Sequence, residues 1–258
     1  MTDILVRDFI FVLLIFLRIT SAFIAAPVMG HKAFPVIPKL FLAFLISYMV
    51  FLSIRTSELH IELSLWWISI TAIKEILSGL LLGFMLNLVF YGISYAGTLI
   101  GFEMGLAVAD VFNPMEDSHN NVIGEVIYIG ALLIFFMING HHYIIRGVVQ
   151  SFQLVGIGDF SFSQPLYKLV VKYSAAVFVI AVKIASPIIV SFFLVNIAEA
   201  ILSRVIPQMQ IFFVTQPLRI GLGFFLMVAL TPLYVYAIKN LLKEYEDSLF
   251  QILKAMGS

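Results

Sequence analysis

The chain has 258 residues, of which 62% are hydrophobic and 12% charged, and its mean hydropathy is +1.07. Fifteen basic side chains balance fifteen acidic ones, so no net field points to nucleic acid, and the absence of cysteine excludes disulfides, thiolate metal sites and cysteine nucleophiles. A soluble domain cannot hide this much apolar surface. The composition predicts an all-α, multi-span helical integral membrane protein.

In chain order, six apolar segments run over Phe9–Met29, Lys39–Ile54, Trp66–Tyr95, Val122–Ile138, Leu169–Leu202 and Ile211–Ile238. Each is near or above the ~20 residues that a spanning helix needs. The beginning of the chain reads as a retained first span, not a cleavable signal. Asp3, Arg7 and Asp8 mix charges, Arg18 interrupts the apolar run and no small-x-small site follows. If the third segment continues through Gly105 it reaches ~60 Å at 1.5 Å per residue, twice a hydrocarbon core, and must break, tilt or project from the membrane. No segment is polar and long enough for a soluble domain, so a single helical membrane domain over 1–258 is expected. From Lys239 to Met256 charges alternate with Leu241, Leu242, Leu249, Phe250 and Leu253. The 239–258 tail is therefore read as an amphipathic helix, either a solvated helix end or a surface that docks on a partner or on headgroups. With six spans, basic residues concentrate in the loops on the side of both termini, which positive-inside counting places in the cytoplasm.

Charges lie inside or against these oily runs: Arg18, Lys74, Glu75, Glu103, Glu125, Lys183, Glu199 and Arg219. Each costs roughly 2.5–3.5 kcal/mol at a bilayer centre, and together they would cost on the order of 20 kcal/mol if they faced lipid. They must face protein, water or one another, in a pathway or an assembly. Arg204 closes the fifth segment in the same manner.

The third segment carries Gly79, Gly83, Gly97, Gly101 and Gly105. At 3.6 residues per turn all five fall near one face of a continuous helix, where small residues let another backbone approach closely. The approaching helix belongs either to this chain or to another subunit. Leu106–Asn121 then interrupts the apolar run with Asp110, Glu116 and Asp117 around Asn113-Pro114, a turn-forming pair. It lacks the glycine and terminal glutamate of a calcium loop, and is read as a structured loop with Phe112 and Met115 as apolar contacts.

No catalytic or metal pattern emerges. Adjacent His141 and His142 point ~100° apart on a helix and cannot share an ion as an i,i+4 pair would. Gly92-Ile-Ser94-Tyr-Ala96-Gly97 has the wrong spacing for a nucleophile elbow, and Gly156-Ile-Gly158 lacks the lysine of a phosphate loop. No metal and no cofactor are expected, and the chain is read as non-enzymatic. Pro187, Pro217 and Pro232 are candidate breaks in the fifth and sixth segments, and Pro207 with Gln208 marks a polar reversal between them.

Arg204-x-x-Pro207-Gln208-Met209-x-x-Phe212 followed by Pro217, after Asn139-Gly140-His141-His142 and Ser151, resembles the FliR family of flagellar type III export-gate proteins. So do Arg18 with Pro27 and Gly30, Pro35 and Lys39, and Glu75-x-x-x-Gly79-x-x-x-Gly83 leading to Gly97 and Gly105. The likeness runs from about residue 9 to about residue 240. Gln216-Pro217 stands where a glycine commonly precedes the proline, and Val155-Gly156 where Pro-x-Gly is usual after the serine.

The resemblance implies a non-enzymatic core subunit that assembles with FliP-like and FliQ-like subunits into a helical export-gate complex. It further implies FlhB-like and FlhA-like components beside it, with rod proteins and other exported flagellar subunits passing through unfolded. A virulence-type secretion gate shares this architecture, and a secondary transporter is the remaining alternative. The implied place is the bacterial inner membrane at the flagellar basal body, partly raised toward the periplasm, in contact with membrane lipid. A plug-like loop falls by resemblance on 106–121, with Phe112, Asn113, Pro114 and Met115 as the constricting group. Gly140, His141, Pro207, Gln208 and Phe212 are the family-motif positions. Arg18, Lys74, Glu75, Lys183, Glu199 and Arg204 are then expected to be buried charges or groups facing other subunits.

Overall fold

The computed structural model describes residues 2–30, 34–54, 64–106, 122–208 and 211–257. Among them the chain is helical, with no strand: α1 (Thr2–Ala25), α2 (Val36–Ile54), α3 (Leu65–Glu103), α4 (Val122–Met137), α5 (Gly140–Leu154), α6 (Gln164–Val205), α7 (Ile211–Ala229) and α8 (Thr231–Met256). Four helices are individually long and apolar enough to cross a membrane, and up to six spans result if α4–α5 and α7–α8 each form one. At 1.5 Å per residue, the 39 residues of α3 and the 42 of α6 each measure ~60 Å, about twice a hydrocarbon core.

Chain contacts define two compact units. The first comprises Met1–Leu88, Asn139–Tyr173 and Lys243–Ser258, and the second Val89–Ile138 and Ser174–Leu242.

In the first unit α1 packs on α2, with the Phe11 and Phe51 rings edge to face at 5.8 Å. The first half of α3 lies against α1 at the closest distance backbones allow. A Cβ on Gly79 would overlap the Arg18 carbonyl oxygen and Ser21 Oγ, and one on Gly83 would overlap the Ala22 carbonyl oxygen. The Asn87 side chain donates to the Ala25 carbonyl at 3.3 Å and satisfies an acceptor left open at the end of α1. The end of α8 also belongs to this unit. Ile252, Leu253, Ala255 and Met256 are buried, Ser163 Oγ donates to the Ala255 carbonyl at 3.0 Å, and Gly257 lies against the Leu154 carbonyl. The last turn of the tail, Leu253 included, thus docks on its own chain.

In the second unit Gly97 meets the backbone of Gly124 on α4, and Phe90 stacks edge-on against Tyr128 and Phe135 at 5.9 and 5.5 Å. Gly101 is buried on α3, but Gly105 is not on the helix. Sequence periodicity carries the helix through Gly105, whereas α3 ends at Glu103. Leu106 N–H bonds to the Gly101 carbonyl at 3.0 Å and Gly105 N–H to the Phe102 carbonyl at 2.9 Å, with Gly105 at φ 77°. This double bond pattern around a left-handed glycine is a Schellman C-cap, which a residue with a Cβ adopts only under strain. Gly105 is therefore a stop signal for the helix, four residues in phase with Gly101 but with a different role.

Two of the three prolines differ from expectation. α6 runs through Pro187 and α7 through Pro217, whereas the sixth segment does break at Leu230, two residues before Pro232. Pro187 cannot donate to the Lys183 carbonyl four residues back, but Ser186 Oγ does so at 2.9 Å, so the freed acceptor is satisfied without a break. Pro232 stands in the first turn of α8, where a missing N–H is not needed. The two helices meet there at 60°. A largely apolar groove of about 350 Å³ opens between α4, α7 and α8, with Tyr234 on its wall.

Candidate functional site

The first unit is organised around Arg18, which is fully buried in the second half of α1. A guanidinium has five N–H donors and no acceptor, so its burial in an apolar setting is tolerable only if all five are used. They are. Nε donates to Glu75 Oε2 at 2.6 Å, and Nη2 to Glu75 Oε1 at 2.9 Å and to the Gly156 carbonyl at 3.2 Å. Nη1 reaches the carbonyls of Ser151 at 3.3 Å and Val155 at 3.0 Å. The Phe152 ring lies 4.3 Å from the guanidinium carbon, a cation–π contact sheltered from water.

Glu75 is equally buried and also accepts from the Gly158 backbone N–H at 2.9 Å. Its neighbour Lys74 donates to the Gly158 carbonyl at 2.9 Å. Gly158 sits at φ 85°, a conformation that exposes its N–H and C=O to α3 and that few other residues adopt. The Ser151 and Val155 carbonyls lie at the C-terminal end of α5, which carries partial negative charge; Ser151's also accepts from the Val155 N–H at 2.8 Å. Arg18 therefore pairs with Glu75, caps α5 and fixes the start of the α5–α6 connection.

Of the two expectations for these charges, buried within the chain or facing other subunits, Arg18 and Glu75 follow the first, and Lys74 is half-buried beside them. Their partners lie within the chain, because α1, α3 and the end of α5 converge on one point. Ser151, Val155, Phe152, Gly156 and Gly158 escape a search for ionic motifs because most contribute backbone atoms, which composition does not reveal. The dismissed Gly156-Ile-Gly158 and the Val155-Gly156 that follows Ser151 in the motif are the signals that a tight turn stood there.

The second unit holds a looser arrangement. Arg219 of α7 approaches Glu199 of α6, with Nε 3.4 Å from Oε1, and its Nη2 donates to Asn196 Oδ1. The side chains retain 13% and 19% exposure, and no aligned hydrogen bond joins the two charges among the described residues. The pair is an ion contact, weaker in geometry than the bidentate one around Arg18. Lys183 is exposed on α6, with no carboxylate partner among the described residues. Near the end of α3, Gln216 Nε2 donates to the Gly105 carbonyl at 2.9 Å and ties the Schellman cap to α7.

The family model described as bacterial export proteins, family 1, matches residues 9–245. The flagellar biosynthetic protein FliR of Pectobacterium carotovorum is 30% identical over 245 residues, spanning 94% of this chain and 92% of its own. The chain belongs to the FliR family of bacterial export proteins. FliR of Bacillus subtilis is 29% identical over 253 residues, 95% of each chain, and FliR of Escherichia coli 28% over 242 residues, 93% and 91%.

The FliR motif positions fall on helix ends. Asn139 adopts the left-handed conformation at φ 59° between α4 and α5, and Gly140 is buried in the first turn of α5. His141 and His142 lie with ring centroids 4.2 Å apart, and no cluster of three or more metal-ligating side chains exists among the described residues. Arg204, Pro207 and Gln208 are exposed where α6 ends. Phe212 lies in α7 with its side chain outside the description, and Phe112, Asn113, Pro114 and Met115 also lie outside the described residues.

Proposed function

We propose that the chain is a core subunit of a flagellar type III protein export gate in the bacterial inner membrane. In this reading it is non-enzymatic and forms, with FliP-like and FliQ-like subunits, the channel through which unfolded rod proteins and other flagellar subunits leave the cell. FlhB-like and FlhA-like components act beside it at the basal body. The observation that carries the reading is the end-to-end likeness to flagellar biosynthetic proteins, 95% of both chains in the Bacillus subtilis case. Supporting it, α2 and α6 leave many large apolar side chains uncovered, among them Phe41, Met49, Phe178, Phe193 and Leu194. Such surface suits lipid or neighbouring helices.

Residues 106–121 are proposed as the plug, with Phe112, Asn113, Pro114 and Met115 at the constriction. An apolar group in a pore excludes ions, and thin contacts would let a translocating chain displace it. The C-capped Gly105, bound by Gln216, gives the loop a fixed point of departure. Co-expression with FliP-like and FliQ-like chains should yield a complex that survives purification, and a solitary, monodisperse monomer would overturn the subunit reading. Within that complex, deleting 108–119 should raise ion conductance in planar bilayers. Unchanged conductance would remove the plug assignment.

A further inference from the structure

We infer that one face of α6, centred on Lys183, receives an apolar helix of another chain that places a carboxylate opposite the Lys183 ammonium. The inference rests on the subunit reading and specifies one of its contacts.

The constraint begins in the sequence. The charges of α6 are Lys168, Lys172, Lys183, Glu199 and Arg204. Any window of the ~20 residues needed to cross a bilayer therefore contains Lys183 or, if it starts beyond Lys183, Glu199. Glu199 has Arg219 beside it. Lys183 has no carboxylate among the described residues and is exposed. An ammonium in an apolar layer is costly, and a carboxylate supplied from outside the chain offsets that cost.

The shape of the face selects the occupant. Val179, Val190, Leu194, Ile197 and Ile201 are exposed on α6, and with Lys183 they recur at steps of three, four or seven residues. At 100° per residue they lie along one line of a broader exposed face that also carries Phe178, Val182 and Phe193. Such a face fits the side of a second helix, which can follow it over several turns. Lipid tails would wet the apolar part of this face equally well but leave the ammonium unpaired.

The test compares Lys183→Glu, Lys183→Met and the unaltered chain, each co-expressed with the FliP-like and FliQ-like chains. Because Lys183 is exposed, all three should accumulate in the membrane alike, and Lys183→Met controls for loss of the side chain. Lys183→Glu should lower the yield of assembled complex roughly ten-fold or more, since like charges at a contact oppose docking. Lys183→Met should lower it less, and an acid-to-lysine change on a partner helix should restore Lys183→Glu.

A photo-cross-linker at position 179 should join α6 to a partner helix within about a turn of that acid. Assembly of Lys183→Glu at the unaltered yield would overturn the inference while leaving the subunit reading intact. Cross-links only to lipid, or only to this chain's own 107–121, would overturn it as well. If the unaltered chain itself forms no complex, the subunit reading falls and the inference falls with it.

Discussion

The two units treat charge in an apolar chain in opposite ways. In the first, Arg18 and Glu75 are fully buried, every guanidinium donor has an acceptor and the carboxylate takes a third bond from Gly158. In the second, Arg219 and Glu199 meet at 3.4 Å with residual exposure, and Lys183 stands open on α6. A complete set of bonds marks a charge whose role is internal. An incomplete set is what the contact proposed above with another chain would complete.

The sharpest way to break this contrast is to remove half of the closed pair. Glu75→Ala leaves a buried guanidinium with only carbonyls around it and should destabilise the protein by about 3–5 kcal/mol. Unfolding by denaturant in detergent micelles measures this. Replacing both partners, Arg18→Met with Glu75→Leu, should cost less than the single change, because no charge is left stranded. A loss below about 1 kcal/mol for Glu75→Ala would mean that the carbonyls alone satisfy Arg18. The internal role would then be wrong.

How much of this was legible beforehand depends on which atoms carry the interaction. The apolar runs gave most of the helices, because hydrophobic length is a property of side chains read one at a time, but α5 (Gly140–Leu154), more polar than most, lay outside all six. Arg18, Glu75 and Gly79 could be singled out, since a charge or a glycine stripe in an oily run needs a reason. The partners of Arg18 could not, because three are backbone carbonyls brought close by the turn at Gly156–Gly158. Gly105 was misplaced on a helix because periodicity cannot distinguish a glycine that continues a stripe from one that ends it. That difference lies in φ and in the bonds of Leu106 and Gly105. Pro187 misled in the opposite direction, since Ser186 one position earlier repairs the acceptor that proline frees.

Gly79 tests the closed unit through packing. A side chain there would meet the Arg18 carbonyl and Ala22 backbone, which cannot move without shifting α1 and with it the guanidinium. Gly79→Leu should therefore cost about 1–3 kcal/mol from overpacking, with further loss where Arg18 is displaced from Glu75. Gly130→Leu is the matching control in the second unit, where a Cβ meets nothing within 4 Å. Equal losses at the two positions would mean that close backbone contact, as opposed to general helix propensity, does not distinguish Gly79.

The smallest effect is expected at Arg219. Its contact with Glu199 lacks an aligned hydrogen bond and both groups keep some exposure, so the pair should contribute about 0–1 kcal/mol to the isolated chain. Arg219→Ala should thus leave the unfolding midpoint of the purified chain nearly unchanged, apart from packing lost where the guanidinium lies 5.8 Å from the Phe192 ring centroid. The same measurement in a complex with partner subunits gives the comparison its force. Covering the α6–α7 surface removes the remaining water and strengthens the ion contact, as lower local dielectric strengthens any charge pair. A larger loss in the complex than in the free chain would place Arg219 with Lys183, among charges whose environment is completed by another chain. An equal loss in both states would place it with Arg18, whose bonds the chain provides itself.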